Sequence, residues 1–383
     1  MKILVNAVSL KEGGSLVVLD QLLGRMARLR PDIDWAIAAH PSLGRRWNGQ
    51  DTITELAAGA IEASAFGVPR WYEVALPAAV KRTQADLVFS MTNYLPLRRL
   101  SVPTVLLVQH AGHFSPQFDA LTRRHLRRPD RVAAWRMKTA WVERSVRMAS
   151  EVTVQTHALA DAITARTGRP RRQIHVIPHG PGTVAAPRPP ASPAGKPVSI
   201  GYVSKFGVQK NFEVLFAAAA RLIGQGRPIR LVLTLAPHLP ENQRIMRQAM
   251  AVGLSGAVDN RGEIDAEAVS AVYDSLDLFV FPSLVESFGF PLVEAMAKGL
   301  PIVAADTASN REIAADAGLF FPSADAEALA KIIAALIDDA PLREARAAAA
   351  LRRAGDFSWQ RAAVDTLALF DAAVDKPKAP SET

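Results

Sequence analysis

Short apolar, β-rich runs alternate with longer helical patterns along nearly the whole chain, and this alternation restarts once, near residue 198. Six runs read as strands in the first half: Lys2–Ala7, Trp35–Ala39, Leu87–Ser90, Thr104–Gln109, Glu151–Gln155 and His175–Ile177. Between them lie helix-like stretches such as Ser15–Leu29 and Arg131–Met148. Strands separated by helices predict parallel sheets with crossover helices. Residues 185–197, AAPRPPASPAGKP, have no apolar period and read as a linker. After it come strands at Val198–Val203, Ile229–Leu235, Leu278–Phe281, Pro301–Ala304 and Gly318–Phe320, with helices at Phe212–Gln225 and Pro240–Val252. A total of 383 residues, 49% of them hydrophobic, suffices for two packed cores. The expectation is an α/β chain of two doubly wound, Rossmann-like units that face each other across a cleft, with ligands at the strands' carboxyl ends.

The domain limits that follow are 1–184, a linker 185–197, 198–356, a closing helix 357–375 with Ser358 as its N-cap, and a flexible tail 376–383. The chain has no cysteine, so a disulfide framework and a thiolate metal site are excluded. The opening MKILVNAVSL is too short and polar for a signal peptide and reads as a first strand. No apolar run reaches the ~20 residues that cross a bilayer. The expected location is therefore cytoplasmic, with any membrane contact peripheral at the inner face.

The net charge of +8 favours anionic partners. Nine basic residues fall between Leu121 and Arg147 (Arg123, Arg124, Arg127, Arg128, Arg131, Arg136, Lys138, Arg144, Arg147), against the acids Asp130 and Glu143. In Arg131–Met148 the residues Val132, Trp135, Val142 and Val146 share one face, expected on the sheet. Met137, Trp141 and Met148 share another beside Arg144; that face is read either as a contact with an anionic membrane or as a solvated or subunit surface. A nucleic-acid partner would rest on charge alone and is not expected.

The chemistry concentrates in residues 282–306, PSLVESFGFPLVEAMAKGLPIVAAD. The strand Leu278–Phe281 leads into a loop with Glu286, Ser287, Phe288 and Gly289, followed by Phe290 and by Pro291 at the expected first helical position, with Gly299 just past the helix end. A helix N-terminus aimed at the strand ends suits a diphosphate, and Gly289 permits close backbone approach. Glu286 and Glu294 are eight residues apart, up to ~12 Å at helical rise. Carboxylates cannot favour phosphate, so they read as acceptors for hydroxyl groups on either side of it.

Two lysines, Lys205 and Lys210, sit on the loop after Val198–Val203 and can both address an anion. Gly13 and Gly14 follow the first strand and precede a helix, without the third glycine of a dinucleotide fingerprint. His110 follows Thr104–Gln109 at a carboxyl end and is preferred over His113; the two together lack further metal ligands. His157, Arg311 and Glu312 are weaker candidates for the cleft, and Pro178-His179-Gly180 reads as a structural turn. Asp32-Ile33-Asp34 resembles a metal-binding D-x-D, but it precedes a strand and so belongs at the wrong end of a sheet.

The segment 282–306 resembles the E-x7-E region of retaining group 1 glycosyltransferases, family 4, with the GT-B fold, and the likeness extends over nearly the whole chain. The resemblance implies that Glu286 contacts the donor sugar and Glu294 the ribose. It implies that the Ser287–Phe290 amides meet sugar and phosphate, and that Lys205 and Lys210 bind the diphosphate. Members usually carry Arg where this chain has Lys205, so the bidentate fork is lost there while the charge is kept. The Gly13–Gly14 loop would lie near the donor phosphates, and His110 near the donor sugar. The last helix would cross back to the first domain and clamp the two halves.

The function implied is metal-independent transfer of a hexose, with mannose preferred, from a GDP- or UDP-linked sugar, with no cofactor. The acceptor is a hydroxyl of a lipid-linked or polysaccharide glycan in bacterial surface-glycan synthesis. The competing readings are a nucleotide-sugar 2-epimerase of the same shape and a non-catalytic nucleotide-binding module.

Overall fold

The computed structural model describes residues 1–44, 46–47, 53–56, 58, 67–126, 128–182, 187 and 197–376. Most of the expected linker 185–197, all but Lys376 of the expected tail 376–383, and Arg127 of the basic segment lie outside them. The chain divides into two compact units. The first comprises Met1–Ser115, Leu126–His179 and Ser358–Thr383, and the second Pro116–His125 and Gly180–Phe357.

The first unit carries seven parallel strands: β1 (Lys2–Ala7), β2 (Asp34–Ala39), β3 (Ile53–Leu56), β4 (Leu87–Ser90), β5 (Thr104–Leu107), β6 (Glu151–Val154) and β7 (Ile174–Val176). Their order is β3-β2-β1-β4-β5-β6-β7, with Val5 opposite Ile37 and Val88 opposite Thr104. The helices are α1 (Gly14–Leu29), α2 (Gly67–Arg70), α3 (Leu76–Thr83), α4 (Pro116–Leu126, mostly grouped with the second unit), α5 (Pro129–Met148) and α6 (His157–Thr167). α1 buries Val18, Leu19, Leu22, Leu23 and Met26, the three-and-four spacing of an amphipathic helix. The Thr156 hydroxyl caps α6 by accepting from Leu159 N, and left-handed Gly168 ends it.

The second unit holds β8 (Val198–Tyr202), β9 (Ile229–Leu233), β10 (Val258–Asn260), β11 (Leu278–Phe281), β12 (Ile302–Ala305) and β13 (Gly318–Phe321). All pair in parallel in the order β10-β9-β8-β11-β12-β13. Its helices are α7 (Phe212–Gly224), α8 (Pro240–Ala251), α9 (Ala266–Asp274), α10 (Phe290–Ala297), α11 (Ala308–Ala314), α12 (Ala326–Asp338) and α13 (Ala340–Ala354). The last helix, α14 (Trp359–Val374), belongs to the first unit. Ser358 caps it, and Phe370 packs 6.5 Å from Trp35 and 5.0 Å from Phe89, measured between ring centres.

Each sheet winds outward in both directions from its first strand, so strand order reverses between β1 and β4 and again between β8 and β11. Loops that leave the carboxyl ends of those strands diverge and expose the crevice where such sheets bind ligands. Two Rossmann-like α/β units are thus present, as the alternating pattern predicts.

The strands central to each sheet lie where the apolar runs place them; edges and ends differ. Thr104–Gln109 is ordered as strand only to Leu107; Gln109 N donates to Asn93 Oδ1 at 2.6 Å, a side chain in place of a neighbouring strand. The edge strands β3 and β10 have no apolar run to announce them, ITEL and VDN being short and partly polar. Phe290 is the first residue of α10, with Gly289 as N-cap, so Pro291 occupies the second helical position. The second face expected on α5 does not form as one stripe. Trp141 donates its indole N–H to Leu95 O (2.7 Å) and packs among Tyr72 and Tyr94, while Met137 is 73% exposed. Arg144 donates to the Leu97 carbonyl at 2.6 Å.

Gly201 illustrates how tightly the second core is filled. A Cβ built there would lie 2.1 Å from Leu276 Cδ1 and 2.8 Å from its Cδ2, and Leu276 is fully buried. Gly201→Ala is therefore expected to cost about 1–3 kcal/mol of stability by overpacking. Chemical denaturation measures this, and an unchanged midpoint would show that Leu276 has room to move.

Candidate functional site

The loops from β8 and β11 meet at the strand reversal of the second unit. Leu284 N donates to Gln209 O at 2.9 Å and ties one loop to the other. Lys210 Nζ lies 2.6 Å from Glu286 Oε1, and both side chains are about one-seventh exposed, at 13% and 15%. Ser283 Oγ donates to the same carboxylate oxygen at 2.5 Å. Lys210 also stands 5.9 Å over the Phe281 ring. Gly289 is left-handed, at φ 83°, and a Cβ on it would come to 3.3 Å from that same ring. The left-handed turn with no side chain permits the chain to pass over Phe281 into α10. Lys210, Glu286 and Gly289 are thus brought together around the end of β11.

The start of α10 carries the positive end of the helix dipole; Leu292 N and Val293 N donate to Gly289 O at 2.9 and 3.3 Å, and Pro291 has no N–H. Leu292, Val293, Ala295 and Met296 are fully buried, and Glu294 among them is 8% exposed. Its carboxylate is oriented by Tyr273, whose hydroxyl donates to Oε2 at 2.8 Å. Ser287 is half-buried in the loop; Phe288 is buried at 2% and packs edge-on against Phe290 and Phe357. Whatever Phe288 offers a ligand therefore comes from its main chain. Lys205 is an exposed residue that pairs with Glu263 at 3.4 Å.

In the first unit, Gly13 caps α1 with φ 69°, a conformation that favours glycine, and Gly14 opens the helix. Gly13 follows the carboxyl end of β1 and His110 that of β5, so both lie at one edge of the parallel sheet. His110 is exposed and precedes a short 3-10 turn, Ala111–Phe114. Its ring is 4.8 Å from that of His113. His113 stacks on Trp135 at 4.6 Å and shares a hydrogen bond with Thr139 Oγ1 at 3.0 Å. Burial, with His110 and Lys138 nearby, lowers the His113 pKa to about 3, so this ring stays neutral at ordinary pH.

The weaker candidates have the following contacts. His157 shares its Nδ1 with Arg171 at 2.7 Å. Arg311 forks onto Asp306 at 2.5 and 2.7 Å and lies over Phe320, while the Glu312 carbonyl accepts from Arg353. His179 is buried, stacked on Trp359 at 5.0 Å. Asp32 is gripped by Arg30 at 2.8 and 2.9 Å, and Asp34 begins β2, at the sheet edge opposite the carboxyl ends. Among the described residues, no group of three His, Asp or Glu side chains is arranged to hold a metal ion.

Two family models divide the chain between them: "Glycosyltransferase Family 4" over residues 13–181 and "Glycosyl transferases group 1" over 187–353. The chain is a glycosyltransferase. It is 28% identical over 347 residues to the MMP alpha-(1->4)-mannosyltransferase of Mycolicibacterium hassiacum, covering 85% of this chain and 79% of that one. It is 29% identical to O-antigen chain mannosyltransferase B of Escherichia coli over 167 residues, less than half of either chain (43% and 44%). The fold is that of HepE from Anabaena, solved in complex with UDP and glucose, at a TM-score of 0.71 and 19% identity over 97% of this chain and 100% of that one.

Sequence reasoning missed several residues of this glycosyltransferase that build the same loops. Asn211, left-handed at φ 52°, donates to Pro282 O (3.3 Å) and Ser323 O (2.8 Å). Asn310 donates to Ser283 O (3.1 Å) and Ala305 O (2.9 Å). These amides tie the Pro282 and Ser283 carbonyls to neighbouring segments, and Asn310 joins Thr307 N on the Ala305 carbonyl at the end of β12. A signal for both was present: Asn211 directly precedes α7 and Asn310 lies in the first turn of α11, helix starts where an Asn side chain bonds backbone readily. Ser283 and Tyr273 carried no such signal.

Proposed function

We propose that the enzyme transfers a hexose, mannose in the preferred reading, from a nucleotide-diphosphate sugar to a hydroxyl of a lipid-linked or polysaccharide acceptor, with retention of configuration. Residues 198–356 are assigned the donor and residues 1–184 the acceptor. The observation that carries this reading is the Lys210–Glu286 pair at 2.6 Å, at the strand reversal and beside the α10 N-terminus. A cation and a row of amides suit a pyrophosphate; a carboxylate beside them suits the hydroxyls of the attached sugar. The names of the mannosyltransferase relatives support the sugar, and the UDP complex of HepE supports a nucleotide donor.

In the proposed reaction the bond between the sugar C1 and the diphosphate oxygen breaks, and the acceptor oxygen bonds C1 on the same face. The acceptor's proton passes to the departing phosphate oxygen. Negative charge grows on that phosphate, where Lys210 Nζ and the amides of Gly289 and Phe290 stabilise it; no protein-bound metal is needed for this step. Glu286 accepts from sugar hydroxyls, Glu294 from the ribose, and His110 is assigned to the sugar's reacting end. Lys205 takes the second phosphate after leaving Glu263, an exposed pair worth at most ~1 kcal/mol. The bacterial surface-glycan role, a cytoplasmic site and peripheral membrane contact belong to the same proposal. No helix among the described residues is long and apolar enough to cross a membrane.

A panel of nucleotide sugars tests it by thermal stabilisation. A ligand at a hundredfold excess over its Kd adds ~2.7 kcal/mol to the folded state, and GDP-mannose is expected to raise Tm most, with UDP-sugars as the alternative. If no nucleoside diphosphate or its sugar shifts Tm, the donor site is misassigned. Conversion of the donor sugar without an acceptor would favour the epimerase reading, and binding with no turnover the non-catalytic one.

A further inference from the structure

We propose that Tyr273 is a positioning residue for the donor's ribose: its hydroxyl holds the Glu294 carboxylate in the one orientation that accepts from the ribose diol. This rests on the assignment of Glu294 to the ribose made above.

Glu294 is an awkward residue to bury. It sits in an apolar helix, between the fully buried Val293 and Ala295, at 8% exposure. A carboxylate there needs hydrogen-bond donors to remain charged. Tyr273 reaches it from the neighbouring helix α9 and is itself fully buried, packed 5.7 Å from Phe279. Its hydroxyl lies 2.8 Å from Glu294 Oε2 and 3.3 Å from Pro291 O. One proton serves both, and the contact to the carboxylate is the shorter. Burial, and then Glu294, raises the Tyr273 pKa well above its ordinary value, so the hydroxyl keeps the proton it donates.

The other oxygen, Oε1, is turned toward the main chain at Gly182. A Cβ built on Gly182 would lie 1.9 Å from Oε1 and 3.0 Å from the carboxylate carbon. Glycine at 182 therefore keeps a side chain off Oε1, while Tyr273 occupies Oε2. Without the Tyr273 hydroxyl the carboxylate would lose a donor that restrains its rotation. A diol gripping Oε1 would then have to order the carboxylate at its own expense. The link is also structural in placement: the same hydroxyl touches the carbonyl of Pro291 in the first turn of α10, whose amides are assigned to the phosphate.

The test compares GDP and UDP with their 2′,3′-dideoxy counterparts by calorimetry on wild type, Tyr273→Phe and Glu294→Gln. Wild type is expected to prefer the ribose form of the tighter-binding nucleotide by about 10–100-fold, the range of a hydrogen bond to a charged group. Glu294→Gln is expected to erase most of that preference. Tyr273→Phe keeps the ring and its packing, and is expected to cut the preference about tenfold while the dideoxy Kd stays within about twofold of wild type. Equal losses for both nucleotides in Tyr273→Phe would make Tyr273 a packing residue and overturn the proposal. A preference lost in Glu294→Gln but intact in Tyr273→Phe would overturn it while leaving the ribose assignment standing. No preference in wild type, or one that survives Glu294→Gln, would sink both.

Discussion

Lys210→Ala is expected to lower kcat/KM for sugar transfer by at least about 10²–10³-fold, the scale of losing one group aimed at charge that grows in the transition state. Two effects act in the same direction. The phosphate loses its cation, and Glu286 loses the ammonium that neutralises it at 2.6 Å. Its carboxylate would then face an anionic diphosphate with the Ser283 hydroxyl as its remaining close donor among these contacts. Lys210→Arg retains the charge but not the compact ammonium that fits between Glu286 and Phe281, and is expected to fall between wild type and Ala. Glu286→Ala should also lose transfer, but through the sugar hydroxyls rather than the phosphate. Its affinity for the bare nucleoside diphosphate should hold while that of Lys210→Ala drops. Steady-state assays with saturating acceptor, alongside nucleotide titrations, separate the two. Transfer within about threefold of wild type in Lys210→Ala would contradict the site.

The second large effect is on acid stability. His113 and His179 are both buried in the first unit, and burial lowers each pKa to about 3. Both rings are neutral when folded, whereas in the unfolded chain they take up protons below about pH 6.5. The unfolded state thus binds more protons, so stability is complete above that pH and falls as the pH drops toward 3. At pH 5 each histidine is worth about 2 kcal/mol, or ~4 kcal/mol for both, a large share of a typical domain's stability. Thermal unfolding followed from pH 7 to 4 should show a steep fall in Tm. Single His113→Gln and His179→Gln variants, less stable at pH 7, should each show a shallower fall. Slopes equal to wild type in both variants would mean that these rings are not the groups that titrate.

Much of the fold was legible because its signals are local. β11 reads FVF between Leu278 and Pro282 and is buried throughout; α1 shows its core face at helical spacing; left-handed Gly299 and the capping hydroxyl of Ser358 mark helix ends. The edge strands β3 and β10 were not legible, since an edge with one neighbour needs little apolar surface. Trp141 misled for a related reason. Its position on the helix suggested an outward stripe, yet the acceptor it needed, Leu95 O, lies 46 residues away.

The candidate site divides in the same way. Lys210, Glu286, Gly289 and Glu294 could be singled out by residue type and spacing on loops that leave strand ends. Their partners could not. Ser283 reaches Glu286 only because the loop folds back; Tyr273 reaches Glu294 across a helix pair, 21 residues away. Lys205, which stands where the family usually has an arginine fork, is exposed and pairs with Glu263. Side-chain contacts made by tertiary packing leave no periodic trace in the sequence, whereas a glycine or proline that a turn requires does.

The central claim is that a pyrophosphate rests between the Lys210 ammonium and the amides that open α10. A crystal structure with bound nucleoside diphosphate tests it most directly. The account predicts the terminal phosphate within hydrogen-bond distance of Lys210 Nζ and of a main-chain N–H between Ser287 and Phe290, with the ribose at Glu294. A nucleotide bound elsewhere on the second unit, with Lys210 still closed on Glu286, would contradict it.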